Sequence, residues 1–194
     1  MSITPKRVVI TGAEGLVGTV LRRGFPSRYE VVPITRSVQP FDSVVADVTD
    51  LGALVRGFTE VHAVIHLAAA AELSAEWKDV LRSNIVGTRN VFEAARLAGV
   101  RAVVFASSGH VLGLAEERAG AELYSLQDDR VFEEFAPVEP DSVYAVSKVF
   151  GEALGRFYAK SFGVRVVCVR LGTVLPDDNP RSHRADGGVQ RNCL

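Results

Sequence analysis

The run Val8-Val9-Ile10-Thr11-Gly12-Ala13-Glu14-Gly15-Leu16-Val17-Gly18 constrains this chain more than any other feature. An apolar strand pattern runs straight into three glycines at T-G-x-x-G-x-x-G spacing, and a helix pattern follows. Gly12 permits a sharp turn off the strand. Gly15 lets a pyrophosphate approach the backbone, and Gly18 lets the helix pack closely on the sheet. The spacing places phosphates at the N-terminus of a helix beginning near Leu16, against free N–H groups and the positive dipole end. Glu14, Leu16 and Val17 therefore join the glycines as candidate contacts.

The bulk properties narrow the setting. The chain has 194 residues, 47% of them hydrophobic. That fits one domain able to bury roughly 70% of its unfolded surface. A net charge of -1 gives no reason to expect nucleic acid or an anionic membrane as partner. The longest apolar run, Val61 to Ala71, holds His62 and His66 and is too short to span a bilayer. The first residues run into the strand pattern and are not read as a signal peptide. Cys168 and Cys193 have the spacing of neither a metal site nor a disulfide framework, so a cytoplasmic setting is expected. His62 and His66 lack Cys or carboxylate partners at ligand spacing, and no zinc is expected.

Strand and helix patterns alternate. Strands are expected at Arg7–Thr11, Glu30–Thr35, Ser43–Ala46, Val61–Leu67, Ala102–Ser107 and Val164–Leu171. Most are short Val/Ile-rich runs, as strands covered on both faces should be. Helices are expected at Leu16–Arg23, Leu51–Gly57, Glu76–Ala98 and Ser142–Phe162, the last with Asp141 as N-cap. The fold class this implies is α/β: a Rossmann-type doubly wound parallel sheet with helices on both faces. Gly113 to Pro140 is polar and acidic without a clear period, and reads as a long loop with one short helix. Residues 1–176 read as the nucleotide-binding domain, and 177–194 as an irregular tail.

Tyr144 and Lys148 lie at i and i+4, neighbours on one helix face. A cation beside a phenol favours phenolate, so the spacing predicts a Tyr144 pKa below its usual value of about 10 and a role as general acid/base. Ser107 and Ser108 end a strand on the sheet edge that carries the glycine loop, where a hydroxyl can hold a substrate oxygen beside Tyr144.

Thr11-Gly12-x-x-Gly15-x-x-Gly18, His66-Leu67-Ala68-Ala69, Asn84-Ile85-Val86-Gly87-Thr88, Phe105-Ala106-Ser107-Ser108 and Tyr144-x-x-x-Lys148 occur in the order of the extended short-chain dehydrogenase/reductase family. The chain resembles its branch of NAD(P)-dependent sugar epimerases and dehydratases from residue 7 to about 176. The resemblance implies that Tyr144 is the catalytic base. Lys148 would bind the nicotinamide ribose, Ser108 the reacting oxygen, and Asn84 would belong to the active-site region. Leu67, Ala68 and Ala69 would let the cofactor lie across the sheet edge, with Asp47 and Val48 near the adenine.

Within that branch, Ser107-Ser108-Gly109-His110 looks most like uronate dehydrogenases, which often carry a histidine where His110 stands. Gly109, His110, Thr173 and Arg181 are thus candidate substrate contacts. Ala71 stands where that branch tends to have serine, and Arg36 where NAD-linked members tend to have an acid. Arg36 and Ser37 favour the 2′-phosphate of NADP, with NAD the other possibility. The expected substrate is a small molecule: a sugar, uronate or nucleotide sugar. Net oxidation or reduction, redox-neutral epimerisation or dehydration, and non-catalytic dinucleotide binding all remain open. A homodimer through the helices around 76–98 and 142–162 is expected. Because relatives continue past the last strand with elements that cover the substrate, this chain is expected to bind cofactor, turn over slowly and self-associate.

Overall fold

The protein is described by a computed structural model covering residues 5–120 and 132–174. Its strands are β1 (Lys6–Thr11), β2 (Tyr29–Thr35), β3 (Val44–Val45), β4 (Ala63–His66), β5 (Ala102–Ser108) and β6 (Arg165–Leu171). All pair in parallel, in the order β3-β2-β1-β4-β5-β6. The register aligns Val9, Val64, Val103 and Val166 in one row across the sheet. The first three of these are fully buried, because β-branched side chains on a strand covered by helices have no route to water. Phe92, Phe105, Leu54, Phe58 and Tyr158 complete the core on that face.

The helices are α1 (Leu16–Gly24), α2 (Leu51–Gly57), α3 (Trp77–Asp79), α4 (Gly87–Leu97), α5 (Gly113–Ala119) and α6 (Val143–Phe162). From β1 the chain steps to β2 and β3 on one side, then crosses back to β4, β5 and β6 on the other. Right-handed crossovers therefore put α1 on one face of the sheet and α2, α4 and α6 on the other. In keeping with this, α2 packs on α4 and α4 on α6. The change of direction falls between β1 and β4. In open parallel sheets the ligand crevice lies outside the strand ends at that point.

Two local expectations are corrected. The helix expected at Glu76–Ala98 is interrupted: Val80–Val86 is π-helical, between α3 and α4. Asp141 does not cap α6. Ser142 does, accepting the Ala145 N–H at 3.1 Å, while the Asp141 carboxylate turns to His110. The segment read from Gly113 as a long loop with one short helix opens with α5, preceded by a 3-10 turn at Gly109–Leu112. Its centre, 121–131, lies outside the described residues, as does the tail from 175. Among the described residues no helix is long and apolar enough to cross a membrane.

Candidate active site

The glycine loop is shaped by contacts that side chains would break. Gly12 has φ +69°, and a Cβ there would lie 2.8 Å from the Cα and N of Ala68. A Cβ on Gly18 would lie 2.5 Å from the Gly12 carbonyl oxygen. α1 starts from Gly15 with no capping side chain and no acid in its first turn. Its N-terminal N–H groups and positive dipole end are thus left for an anion, and a pyrophosphate fits that donor set.

An open crevice of about 710 Å³ runs along this edge of the sheet. Of the residues expected to hold a dinucleotide, all but Ser37 line it. They are Gly12, Glu14, Gly15, Leu16, Val17 and Gly18 after β1, Arg36 after β2, Asp47 and Val48 after β3, Leu67, Ala68 and Ala69 after β4, and Tyr144 and Lys148 of α6. The Asp47 carboxylate is engaged on both oxygens, by Thr49 and by Arg82 at 2.6 Å. Burial pushes its pKa up, but the Thr49 hydrogen bonds with the Arg82 and Arg36 charges outweigh this and hold it below the usual range.

The acid/base candidates meet on the crevice floor. Ser108 and Tyr144 both line it, the Ser108 hydroxyl near enough to favour the Tyr144 phenolate, and the Lys148 ammonium lies 5.4 Å from the Tyr144 ring centroid. The predicted lowering of the Tyr144 pKa is not found. Burial raises it and outweighs the Ser108 hydroxyl, because Lys148 points its ammonium at the Ala106 carbonyl, 2.8 Å away. Burial likewise brings Lys148 itself down to about 8.

The other candidates divide. His110 and Thr173 line the crevice, and His110 Nδ1 lies 2.7 Å from Asp141 Oδ2, a partner the sequence did not suggest. Ser107 also lines it, but its hydroxyl donates to Glu152 at 2.6 Å and is not free for substrate. Gly109 is not among the lining residues, and Arg181 lies outside the described residues. Asn84 is buried beneath the crevice rather than facing it. Its amide spans the Ala70 N–H and carbonyl and the Ser147 hydroxyl, tying the loop after β4 to α6. Ser83, its neighbour in the π-helical stretch, reaches the crevice instead. Among the described residues no group of three or more His, Cys, Asp and Glu is placed to hold a metal ion.

Under the crevice, His66 is wired between Thr11 (2.7 Å at Nδ1) and Thr88 (3.1 Å at Nε2). Burial, aided by the Lys148 charge, lowers its pKa to about 3. The unfolded chain takes up this proton near pH 6.5 and the folded chain does not until about 3, so stability is lost as pH falls through that window. The slope approaches about 1.4 kcal/mol per pH unit. In urea titrations, wild type is expected to lose at least about 1 kcal/mol more than His66→Gln between pH 7 and pH 5. Equal losses would remove His66 from the acid response.

A parallel sheet with a phosphate-shaped loop, and a Ser–Tyr–Lys set at its switch point, defines a Rossmann-type α/β domain with a candidate acid/base site. The sequence matches the NAD dependent epimerase/dehydratase family over residues 8–189, and the chain belongs to that family. It is 41% identical over 185 residues to an L-arabinose 1-dehydrogenase (NAD(P)(+)) of Haloferax volcanii, covering 90% of this chain and 70% of that protein. It is 34% identical over 184 residues to a uronate dehydrogenase of Pseudomonas putida, covering 91% of this chain and 64% of that one. The solved uronate dehydrogenase from Agrobacterium tumefaciens superposes with a TM-score of 0.75 at 29% identity, over 91% of this chain and 64% of that one. The chain thus spans about two thirds of the length of these relatives.

Proposed function

We propose that this protein is an NAD(P)-dependent oxidoreductase acting on a hydroxyl or carbonyl of a sugar or uronate. The observation that carries this reading is the convergence of Ser108, Tyr144 and Lys148 in the crevice that begins at the glycine loop. The α1 N-terminus would hold the pyrophosphate, the loops after β3 and β4 the adenine side, and Lys148 the nicotinamide ribose. The bound nicotinamide supplies hydride transfer. Ser108 steadies the substrate oxygen while Tyr144 carries the proton to or from it, with Lys148 on the same helix face beneath the nicotinamide ribose.

The names of the relatives support a sugar or uronate substrate, and they choose the assay panel: L-arabinose and glucuronate, each with NAD and NADP. Reduced cofactor forming with one of them is the expected result. A chain that binds neither dinucleotide would overturn the reading. UDP-glucose belongs in the panel because a UDP-glucose 4-epimerase is 32% identical over 172 residues. Isomerisation without net cofactor reduction would assign the redox-neutral reaction.

We read the cofactor preference as NADP. Arg36 is exposed at the crevice rim, and the Asp47 carboxylate facing it is already held by Arg82. A guanidinium on a 2′-phosphate adds a charge-assisted bond worth about 1.5–3 kcal/mol, a factor of about ten or more. Arg36→Asp is therefore expected to weaken NADP at least about tenfold and to spare NAD. Tighter NAD binding in the wild type, unchanged by the substitution, would reverse the assignment.

The homodimer reading draws support from exposed apolar side chains on the helices named for it: Trp77, Leu81 and Val86 on one, Val143, Val146 and Phe157 on the other. Sedimentation equilibrium decides it. We place the protein in a reducing cytoplasm, where Cys168, its thiol pushed up to about 11 by burial, stays inert. We also keep the reading of residues 1–176 as the nucleotide-binding domain, the family match running on to 189.

A further inference from the structure

Two consecutive residues at the end of β5 are hooked to α6, and the next shares the crevice with it. The Ala106 carbonyl accepts from Lys148 at 2.8 Å, Ser107 donates to Glu152 at 2.6 Å, and Ser108 lines the crevice together with Tyr144. Positions 144, 148 and 152 follow at four-residue spacing and form one stripe of the helix. Gly151 brings the backbone of α6 so close that a Cβ there would lie 2.2 Å from the Phe105 ring.

Glu152 is 3% exposed. Burial pushes its pKa up, yet the Arg170 and Ser107 hydrogen bonds and the Arg170 and Arg156 charges hold it below the usual range, so it is ionised. Arg170 of β6 grips both carboxylate oxygens, Nε to Oε1 and Nη2 to Oε2, each at 2.9 Å. β6 ends at Leu171, and Gly172 and Thr173 beyond it form part of the crevice wall. One buried carboxylate thus joins the helix that carries the phenol, the strand end that carries Ser108 and the strand that feeds the wall. Neither Glu152 nor Arg170 lines the crevice, so each acts through other groups. Apolar pairs of similar volume often stabilise a fold as well as a buried ion pair does, whereas a forked ion pair fixes geometry that apolar contacts leave loose.

We propose that Glu152, clamped by Arg170, is a positioning residue for proton transfer. It fixes the rotation and advance of α6 along β5 that bring the Tyr144 phenol to the Ser108 hydroxyl. The proposal rests on reading Ser108, Tyr144 and Lys148 as the reacting set.

The test replaces the pair with apolar side chains, Glu152→Met with Arg170→Met, so that no lone charge is left buried. Three quantities are read: the melting temperature, the resonance of Tyr144 in protein labelled at tyrosine Cζ with carbon-13, and kcat and KM. Tyr144→Phe identifies the resonance by its disappearance. The double variant is expected to fold with a near-wild-type melting temperature, to shift the Tyr144 resonance, and to lose at least tenfold in kcat with KM for the dinucleotide within twofold. A folded double variant with an unmoved resonance and wild-type kcat would overturn the proposal and leave the pair a purely structural role. If the double variant does not fold, Arg170→Lys takes its place, because it keeps the charge and loses the fork. The same resonance shift supports the proposal there, and an unmoved resonance overturns it. Should the wild-type protein bind a dinucleotide but turn over nothing in the panel, the resonance alone decides the positioning claim, whereas binding of neither dinucleotide is the failure of the functional reading.

Discussion

Tyr144→Phe is expected to lower turnover by about 10²–10⁴-fold while leaving dinucleotide affinity within about twofold, the range by which a positioned proton carrier accelerates a reaction. The phenol contributes one group that Phe lacks, the hydroxyl beside Ser108 in the crevice, and the ring that fills the site remains. Lys148→Ala should damage both quantities. Its ammonium, which also binds the Ala106 carbonyl, has been read as serving both ribose and phenol. Steady-state rates and direct cofactor titration of the two variants separate these roles. Wild-type turnover in Tyr144→Phe would move the proton chemistry to the remaining acid/base pair at the crevice, His110 with Asp141.

Gly12→Ala is expected to abolish measurable dinucleotide binding and to destabilise the fold by about 2–5 kcal/mol. The left-handed backbone costs a residue with a Cβ about 1–2 kcal/mol, and forcing a methyl into a packed site costs about 1–3 more. Both conditions hold at this position, with φ +69° and backbone atoms of Ala68 2.8 Å from the added carbon. Those atoms belong to the loop that forms the opposite wall of the crevice, so relief of the clash must open the cradle. A melting curve and a fluorescence titration with NADP check the two halves. Retained affinity would mean the loop bends without cost.

Much of the fold was legible because its signals are local. Apolar runs punctuated by glycine, and one helical stripe on α6, gave six strands and the long helices to within a few residues. The cofactor-side candidates were equally readable, since a parallel sheet delivers every strand end to one edge. What escaped depends on contacts between distant segments. The capping choice between Asp141 and Ser142 was decided by His110, which takes the Asp141 carboxylate. The direction of Asn84 was decided by Ala70 and Ser147. The Tyr144 pKa was decided by burial and by a carbonyl that draws Lys148 away. Glu152 carried a readable signal, eight positions after Tyr144, but its partner Arg170 did not.

The all-parallel register also governs how the chain can assemble. No two neighbouring strands are joined by a hairpin, and the walls of the crevice close over long separations: 55 residues between Thr11 and His66, and 42 between Ala106 and Lys148. Ordering such loops costs entropy before any contact repays it, so folding is slow compared with local topologies. The α1 turn and its glycine loop can form early, from adjacent residues. The crevice exists only after β4 and β5 have docked and α6 has been laid along them, so the capacity to hold a ligand arrives at the end of folding. A dinucleotide present during refolding then acts on the last equilibrium of the sequence, pulling the docked state forward by mass action.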